Sequence, residues 1–271
     1  MMMAAFTGNT VEVTAFLENN PESVDDFGEG DGGADRTMLQ IATLASLVRP
    51  ERSLEMIRLL ISRGADVNRR GGPGTSPTAL HEMCIAAWRE GVAFLIQAGA
   101  DVNIVCGGQR GDRPPSLAMS MVFSPHFMVM GGDRRGRTIE QILHDTYQIM
   151  QLLLRAGHPL DSPVHGATRS LESLIEGVIP QYTGDAPYLN DALELARAVR
   201  AAQSTSSSTR LTPWQKYCLV PPKELLRLRS LLARKRAKAK RATPPHLARL
   251  FARSLPNEIA WRVLAFWNPR H

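Results

Sequence analysis

The chain has 271 residues, 44% of them hydrophobic, and a mean hydropathy near zero, enough apolar material for one sizeable folded region plus an appendage and too much for disorder throughout. Its net charge of +6 is unevenly placed: residues 1–202 hold 17 Arg, no Lys and 24 acidic residues for a balance of −7, whereas residues 203–271 carry +13. Three scattered cysteines (Cys84, Cys106, Cys218) fit neither a disulfide framework nor a zinc module, and the absence of a membrane-length apolar run or a leader pattern at Met1 to Phe6 predicts an intracellular protein.

In chain order, Val11-Glu12-Val13-Thr14-Ala15-Phe16-Leu17-Glu18-Asn19-Asn20-Pro21 reads as the degenerate ending of a first helical unit. A second unit opens at Thr37-Met38-Leu39-Gln40-Ile41-Ala42. Its outer helix follows, with Leu54, Ile57, Leu60 and Ile61 at a helical spacing that puts them on one face. Gly64 comes just after the last apolar turn, where a positive φ is needed to stop a helix at low steric cost. Asp66-Val67-Asn68 then starts a hairpin-like connection, the two polar side chains bonding local backbone groups and the valine turned inward.

The same ending returns: Leu60-Ile61-Ser62-Arg63-Gly64-Ala65-Asp66-Val67-Asn68 is repeated as Leu95-Ile96-Gln97-Ala98-Gly99-Ala100-Asp101-Val102-Asn103, 35 residues on. Between the copies, Thr78-Ala79-Leu80-His81-Glu82-Met83 reads as an inner helix capped by Thr78, with His81 a structural bridge between backbone groups of neighbouring loops. A weaker third ending is Leu152-Leu153-Leu154-Arg155-Ala156-Gly157-His158-Pro159-Leu160-Asp161.

Residues 106–137 interrupt this series with Gly107-Gly108, Pro114-Pro115, Gly131-Gly132 and an apolar run from Met119 to Met130 that includes Phe123 and Phe127. A long excursion of this kind is a binding element or a tolerated insertion. Its Met- and Phe-rich run is adaptable contact material, expected at one edge of a partner site. Two further helical patterns, Leu171 to Ile175 and Leu189 to Val199, are separated by Pro180 and Pro187 and lack the glycine ending.

Gln203-Ser204-Thr205-Ser206-Ser207-Ser208-Thr209 has no apolar anchor and predicts a linker over 203–212. A basic amphipathic segment over 213–243 follows, with Leu225, Leu228, Leu231 and Leu232 as its stripe and Arg234 to Arg241 as its charged end. Lys235-Arg236-Ala237-Lys238 has the short basic form of a nuclear-localisation signal, so the expected location is cytoplasmic with access to the nucleus. A solvated helix end reads the same way. Nucleic acid or an anionic membrane could engage 234–241 electrostatically, but no aromatic side chain is interleaved for stacking.

The repeated unit resembles the ankyrin repeat, whose period is about 33 residues and whose inner helix opens Thr-Pro-Leu-His-x-Ala. The resemblance implies an all-α fold: an ankyrin-repeat solenoid of stacked helix-turn-helix units followed by a small helical C-terminal region. Five units are expected over residues 1–202, at about 3–32, 33–68, 69–103, 104–161 and 162–202, the fourth carrying the insertion. It also implies a protein target held at variable hairpin tips and inner-helix surfaces, for which Arg69, Arg70, Ile104, Arg110, Phe123 and Phe127 are the candidates.

The tail over 244–271 contains Ser254-Leu255-Pro256-Asn257-Glu258-Ile259-Ala260-Trp261-Arg262-Val263-Leu264-Ala265-Phe266-Trp267, which resembles the opening of an F-box. Repeats joined to such a tail are similar to viral ankyrin proteins with a PRANC domain. That resemblance implies an adaptor that recruits a target to a cullin-type ubiquitin ligase, docking the linker subunit through Leu255, Pro256, Ile259, Val263, Leu264 and Trp267. Only one complete helix of a full F-box remains before His271. The alternative is a non-ligase scaffold or sequestering protein whose C-terminal helices only cap the repeats. No phosphate loop, nucleophile elbow or metal-ligand spacing is present in the sequence, so neither enzymatic activity nor a cofactor is expected.

Overall fold

The computed structural model describes residues 1–28, 36–46, 49–71, 77–106, 118–122, 136–164, 167–181, 187–205 and 210–218. Contacts divide the chain into two compact units, Met1–Arg197 and Ala198–His271. Among the described residues the chain is mostly helical: α1 (Met2–Thr7), α2 (Thr10–Asn19), α3 (Met38–Ala45), α4 (Pro50–Ser62), α5 (Ala79–Ile85), α6 (Arg89–Gln97), α7 (Ala118–Val122), α8 (Ile139–Arg155), α9 (Leu171–Val178) and α10 (Pro187–Thr205). The described residues also include two short antiparallel strand pairs, β1 (Phe27–Gly28) with β2 (Arg36–Thr37) and β3 (Asp161–Val164) with β4 (Ala167–Ser170).

Local chemistry sets where these helices begin. Thr37 and Gln40 form a capping box at α3, the Thr37 amide donating to Gln40 Oε1 at 2.9 Å and the Gln40 amide to Thr37 Oγ1 at 3.3 Å. Thr138 and Gln141 repeat it at α8 at 2.9 and 3.2 Å. At α5 the N-cap is Thr78, whose amide donates to His81 Nδ1 at 3.4 Å while its Oγ1 lies 2.8 Å from the same nitrogen. The buried His81 thus closes its own helix start through Thr78.

Four described helices end in one way, the first of them α1, where Gly8 has φ of 74° and the Asn9 amide donates to the Ala4 carbonyl at 2.9 Å. After α4, α6 and α8, Gly64, Gly99 and Gly157 adopt φ of 91°, 95° and 98°. The residue that follows each glycine donates its amide back to a carbonyl in the last turn: Ala65 to Leu60 at 3.0 Å, Ala100 to Leu95 at 2.9 Å, His158 to Leu153 at 3.0 Å. These bonds satisfy carbonyls that a helix end otherwise leaves without partners.

Successive helices pair as α1 with α2, α3 with α4, α5 with α6, and α7 with α8. Across pairs, α3 packs on α1 and α5, α5 on α7, α2 on α4, and α6 on α8. Met38 and Leu39 of α3, Met56, Ile57 and Leu60 of α4, Leu80 and Met83 of α5, Leu95 of α6, and Ile149, Met150 and Leu153 of α8 are fully buried between them. Burial of each such side chain contributes about 1.5–3 kcal/mol.

The buried face of α4 differs from the expected stripe. Ser53, Met56, Ile57 and Leu60 are enclosed, whereas Leu54 and Ile61 are half-buried. On that face buried Ser53 donates its hydroxyl to the Ala42 carbonyl at the facing helix α3, beside the fully enclosed Met56. The insertion also differs from expectation in one part. Instead of contact material, Ala118, Met119 and Val122 are core, because α7 packs against α5 and α8. The expected linker begins later, since residues 203–205 continue α10, where Ser204 Oγ donates to the Ala201 carbonyl at 2.8 Å. In the second unit a helical turn over 213–218 starts at a Thr212–Gln215 box with amide bonds of 3.0 and 3.2 Å, and Trp214 and Cys218 are buried.

Candidate partner-binding surface

Among the described residues the turns between helix pairs are tied to one another by side chains. The Asp25 carboxylate accepts from the Asp66 amide at 3.1 Å through both oxygens. Asp66 Oδ1 in turn accepts from the Asn68 amide at 2.9 Å, which folds the tip into a tight Asx turn. One period on, Asp101 Oδ1 accepts from the Asn103 amide at 2.8 Å in the same arrangement. Asn68 joins the two tips, donating from Nδ2 to the Gly99 carbonyl at 3.1 Å and accepting from the Asp101 amide at 2.8 Å. Val67 and Val102 are buried beneath them, as the sequence pattern predicts.

Gln40 supplies a second anchor. From inside α3 its Nε2 donates to the Arg69 carbonyl at 3.2 Å and to the Pro77 carbonyl at 2.8 Å, bracketing the loop that carries Arg69 and Arg70. Both arginines are exposed. The Arg69 guanidinium sits 5.1 Å from the centre of the Phe27 ring, itself exposed at the β1 strand. Ile104, half-buried, occupies the position corresponding to Arg69 on the next turn. The structure therefore sets Arg69, Arg70 and Ile104 on successive, mutually braced turns. Arg110, Phe123 and Phe127 lie outside the described residues, as do Leu255, Pro256, Ile259, Val263, Leu264, Trp267 and the basic Lys235, Arg236 and Lys238.

Phe27 and Asp25 belong to this surface, and the buried Gln40 supports it from beneath, without having been singled out by sequence. The signal for Phe27 was weak, an aromatic beside Asp25, Asp26 and Gly28, a combination that reads only as a turn. A separate groove of about 580 Å³ runs over α4, α6 and α8, bordered by Arg58, Phe94, Tyr147 and Arg155 among others.

Two buried groups have chemistry shaped by their surroundings. Burial pushes the Cys84 thiol well above its ordinary range, which keeps it protonated and a packing group rather than a nucleophile. Burial lowers His158 from 6.5 to about 4, against a smaller opposing effect of its bond to the Pro159 carbonyl. The neutral ring is held by two partners: Nδ1 lies 2.7 Å from the Pro159 carbonyl, which it can only meet as a donor, and Nε2 accepts from the Met119 amide at 3.3 Å. His158 therefore fastens α7 to the turn after α8.

Among the described residues no group of three or more His, Cys, Asp or Glu side chains is placed to hold a metal ion, and no helix is long and apolar enough to cross a membrane. No protein-family model matches the chain, and no curated protein matches it.

Proposed function

We propose that residues 1–202 form an ankyrin-type solenoid whose hairpin tips bind another protein. The observation that carries this reading is the pair of tips joined by Asn68, which closes the first copy of the 35-residue sequence repeat and bonds Gly99 and Asp101 of the second. The glycine-ended outer helices and the packing of α3 between α1 and α5 agree with it. A surface of exposed side chains on braced turns suits recognition, because contact residues are presented with little conformational freedom left to lose on binding.

The tail extends the proposal to an adaptor: Leu255-Pro256-Asn257-Glu258-Ile259 and the apolar residues after it dock a linker subunit of a cullin-type ubiquitin ligase while the tips hold the target. The competing scaffold reading has the tail as a cap only.

Chemical cross-linking of the full chain in cells, read by mass spectrometry, tests both parts. Arg69→Glu with Arg70→Glu should remove a subset of cross-linked proteins while leaving the melting temperature unchanged. Ile259→Asp with Leu264→Asp should remove ligase components and leave the target. Recovery of the same proteins from the tip variant would overturn tip binding. Absence of any cullin component from the unaltered chain, with a melting temperature that drops when 244–271 is deleted, would replace the adaptor by the scaffold.

A further inference from the structure

The two compact units hold equal numbers of cationic side chains and differ in their chemistry. Met1–Arg197 and Ala198–His271 contain sixteen Lys plus Arg each, of which none is lysine in the first and five are in the second: Lys216, Lys223, Lys235, Lys238 and Lys240. A codon preference for arginine would act on both units alike, so it does not account for the division. Nor does the structure demand arginine throughout the first unit. Arg137 uses its planar fork on two carbonyls and a carboxylate, and Arg58 and Arg69 lie over the Phe94 and Phe27 rings at 5.2 and 5.1 Å from their centres. Arg63, Arg89 and Arg197 instead meet single carboxylates, of Glu18 at 3.4 Å, Glu90 at 2.9 Å and Glu176 at 2.8 Å, contacts that an ammonium makes as well. The first unit has positive charge in plenty and lacks the side-chain amine.

We propose that Lys216, Lys223, Lys235, Lys238 and Lys240 form the chain's acceptor site for ubiquitin, and that the first unit is exempt because it holds no side-chain amine. The proposal rests on the adaptor reading for the source of the ubiquitin, a carrier protein brought by the ligase that the tail docks. An uncharged lysine Nζ attacks the thioester carbonyl that joins the C-terminal glycine of ubiquitin to the carrier's cysteine. The C–N bond of an isopeptide forms, the C–S bond breaks with the sulfur leaving as thiolate, and the proton from nitrogen passes to a general base. A guanidinium stays protonated and cannot take this part. Lys216 lies on the helical turn over 213–218, and the other four lie outside the described residues. All five precede Leu255 in sequence, by 15 to 39 residues, so the chain itself keeps them at high effective concentration around a ligase held by the tail. The first unit is tethered to the same ligase without offering a lysine, so Arg69 and Arg70 at its tips stay clear of attached ubiquitin and open to the target.

The full chain, purified from cells in which the proteasome is blocked and mapped by mass spectrometry, tests the proposal. Conjugates are expected on the lysines of 216–240 and should be lost with Lys216→Arg, Lys223→Arg, Lys235→Arg, Lys238→Arg and Lys240→Arg together, a change that keeps every charge. An unaltered chain without conjugates, or conjugates that persist in this variant on the Met1 α-amine or on hydroxyls of the first unit, would overturn it. Arg89→Lys with Arg197→Lys tests the exemption, since both side chains are exposed and their carboxylate contacts survive the change. That variant should gain conjugates in the first unit with its melting temperature unchanged. None there would show that something other than the missing amine protects the first unit, which overturns the exemption. Ile259→Asp with Leu264→Asp separates the proposal from the adaptor reading. Conjugates lost from 216–240 in that variant support both, whereas conjugates that persist there keep the acceptor site and overturn only the tail as its source of ubiquitin.

Discussion

Asn68 bonds two groups of the following turn at once, with Oδ1 held by the Asp101 amide at 2.8 Å and Nδ2 on the Gly99 carbonyl at 3.1 Å. An amide is the one short side chain that offers an acceptor and a donor from the same plane. Replacement by alanine removes both bonds at a half-buried site and should cost about 1–2 kcal/mol. Asn68→Asp keeps the bond to Asp101 but turns a carboxylate oxygen toward the Gly99 carbonyl, so it should be no better than alanine. Urea unfolding of the full chain measures both, and an unchanged midpoint for Asn68→Ala would show that the two turns hold together without it.

Gly64 and Gly99 share a left-handed φ of 91° and 95°, and among the described residues beyond the chain neighbours no heavy atom lies within 4 Å of where a Cβ would stand at either. Crowding therefore adds nothing, and Gly99→Ala isolates the backbone conformation at a cost of about 1–2 kcal/mol. Gly99→Asn should cost less than alanine, since asparagine tolerates that region better. Equal losses for Ala and Asn in thermal unfolding would mean that φ is not what the position demands.

The features just named were legible because they are local. Helix ends at Gly64, Gly99 and Gly157 and the cap at Thr78 follow from chemistry within a few residues of the site. What stayed hidden depends on pairs far apart in the chain. Gln40 looks like an ordinary capping-box residue, yet it also holds the carbonyls of Arg69 and Pro77. Met119 stands in an apolar run that reads identically whether it faces a partner or the core, and its burial was decided by α5 and α8 on either side. The groove over α4, α6 and α8 draws on residues from Leu54 to Arg155, so no single sequence window contains it. The Leu54, Ile57, Leu60, Ile61 stripe was right in period and turned in phase, and a hydrophobic pattern has no means of registering the hydroxyl of Ser53 that bonds Ala42 on the enclosed face.

Arg137 draws three groups together from the start of α8. Its Nη1 donates to the Ala87 carbonyl at 2.6 Å and to Asp145 at 2.7 Å, and its Nη2 to the Ala86 carbonyl at 3.1 Å. Ala86 and Ala87 are buried and form the turn between α5 and α6, where Ala87 has a positive φ of 45°. Arg137→Met would leave those carbonyls and Asp145 without this donor, a loss of about 2–4 kcal/mol. Arg137→Lys should recover only part of it, since an ammonium lacks the planar fork that reaches two carbonyls at once. In a double-mutant cycle, Arg137→Met with Asp145→Asn should destabilise less than the sum of the two changes; strict additivity would remove the ion pair from the account.

His158 gives the fold a definite dependence on acid. In the folded chain it titrates near 4 rather than 6.5, because burial disfavours the charged ring. Between those values the unfolded chain takes up a proton that the folded chain refuses. The stabilising contribution is therefore complete above about pH 6.5, falls as the pH drops, and is gone below about pH 4, amounting to about 3 kcal/mol over the window. Protonation also places an N–H on Nε2 against the Met119 amide, so the loss should appear first where α7 meets the turn after α8. The protection of the Met119 amide from hydrogen exchange, taken relative to the intrinsic rate at each pH, should fall on acidification through this range before that of the core helices does. His158→Gln, able to accept from that amide without titrating, should flatten the stability profile between pH 6.5 and 4. If the variant and the unaltered chain lose stability in parallel there, the acid response belongs to other groups and His158 only packs.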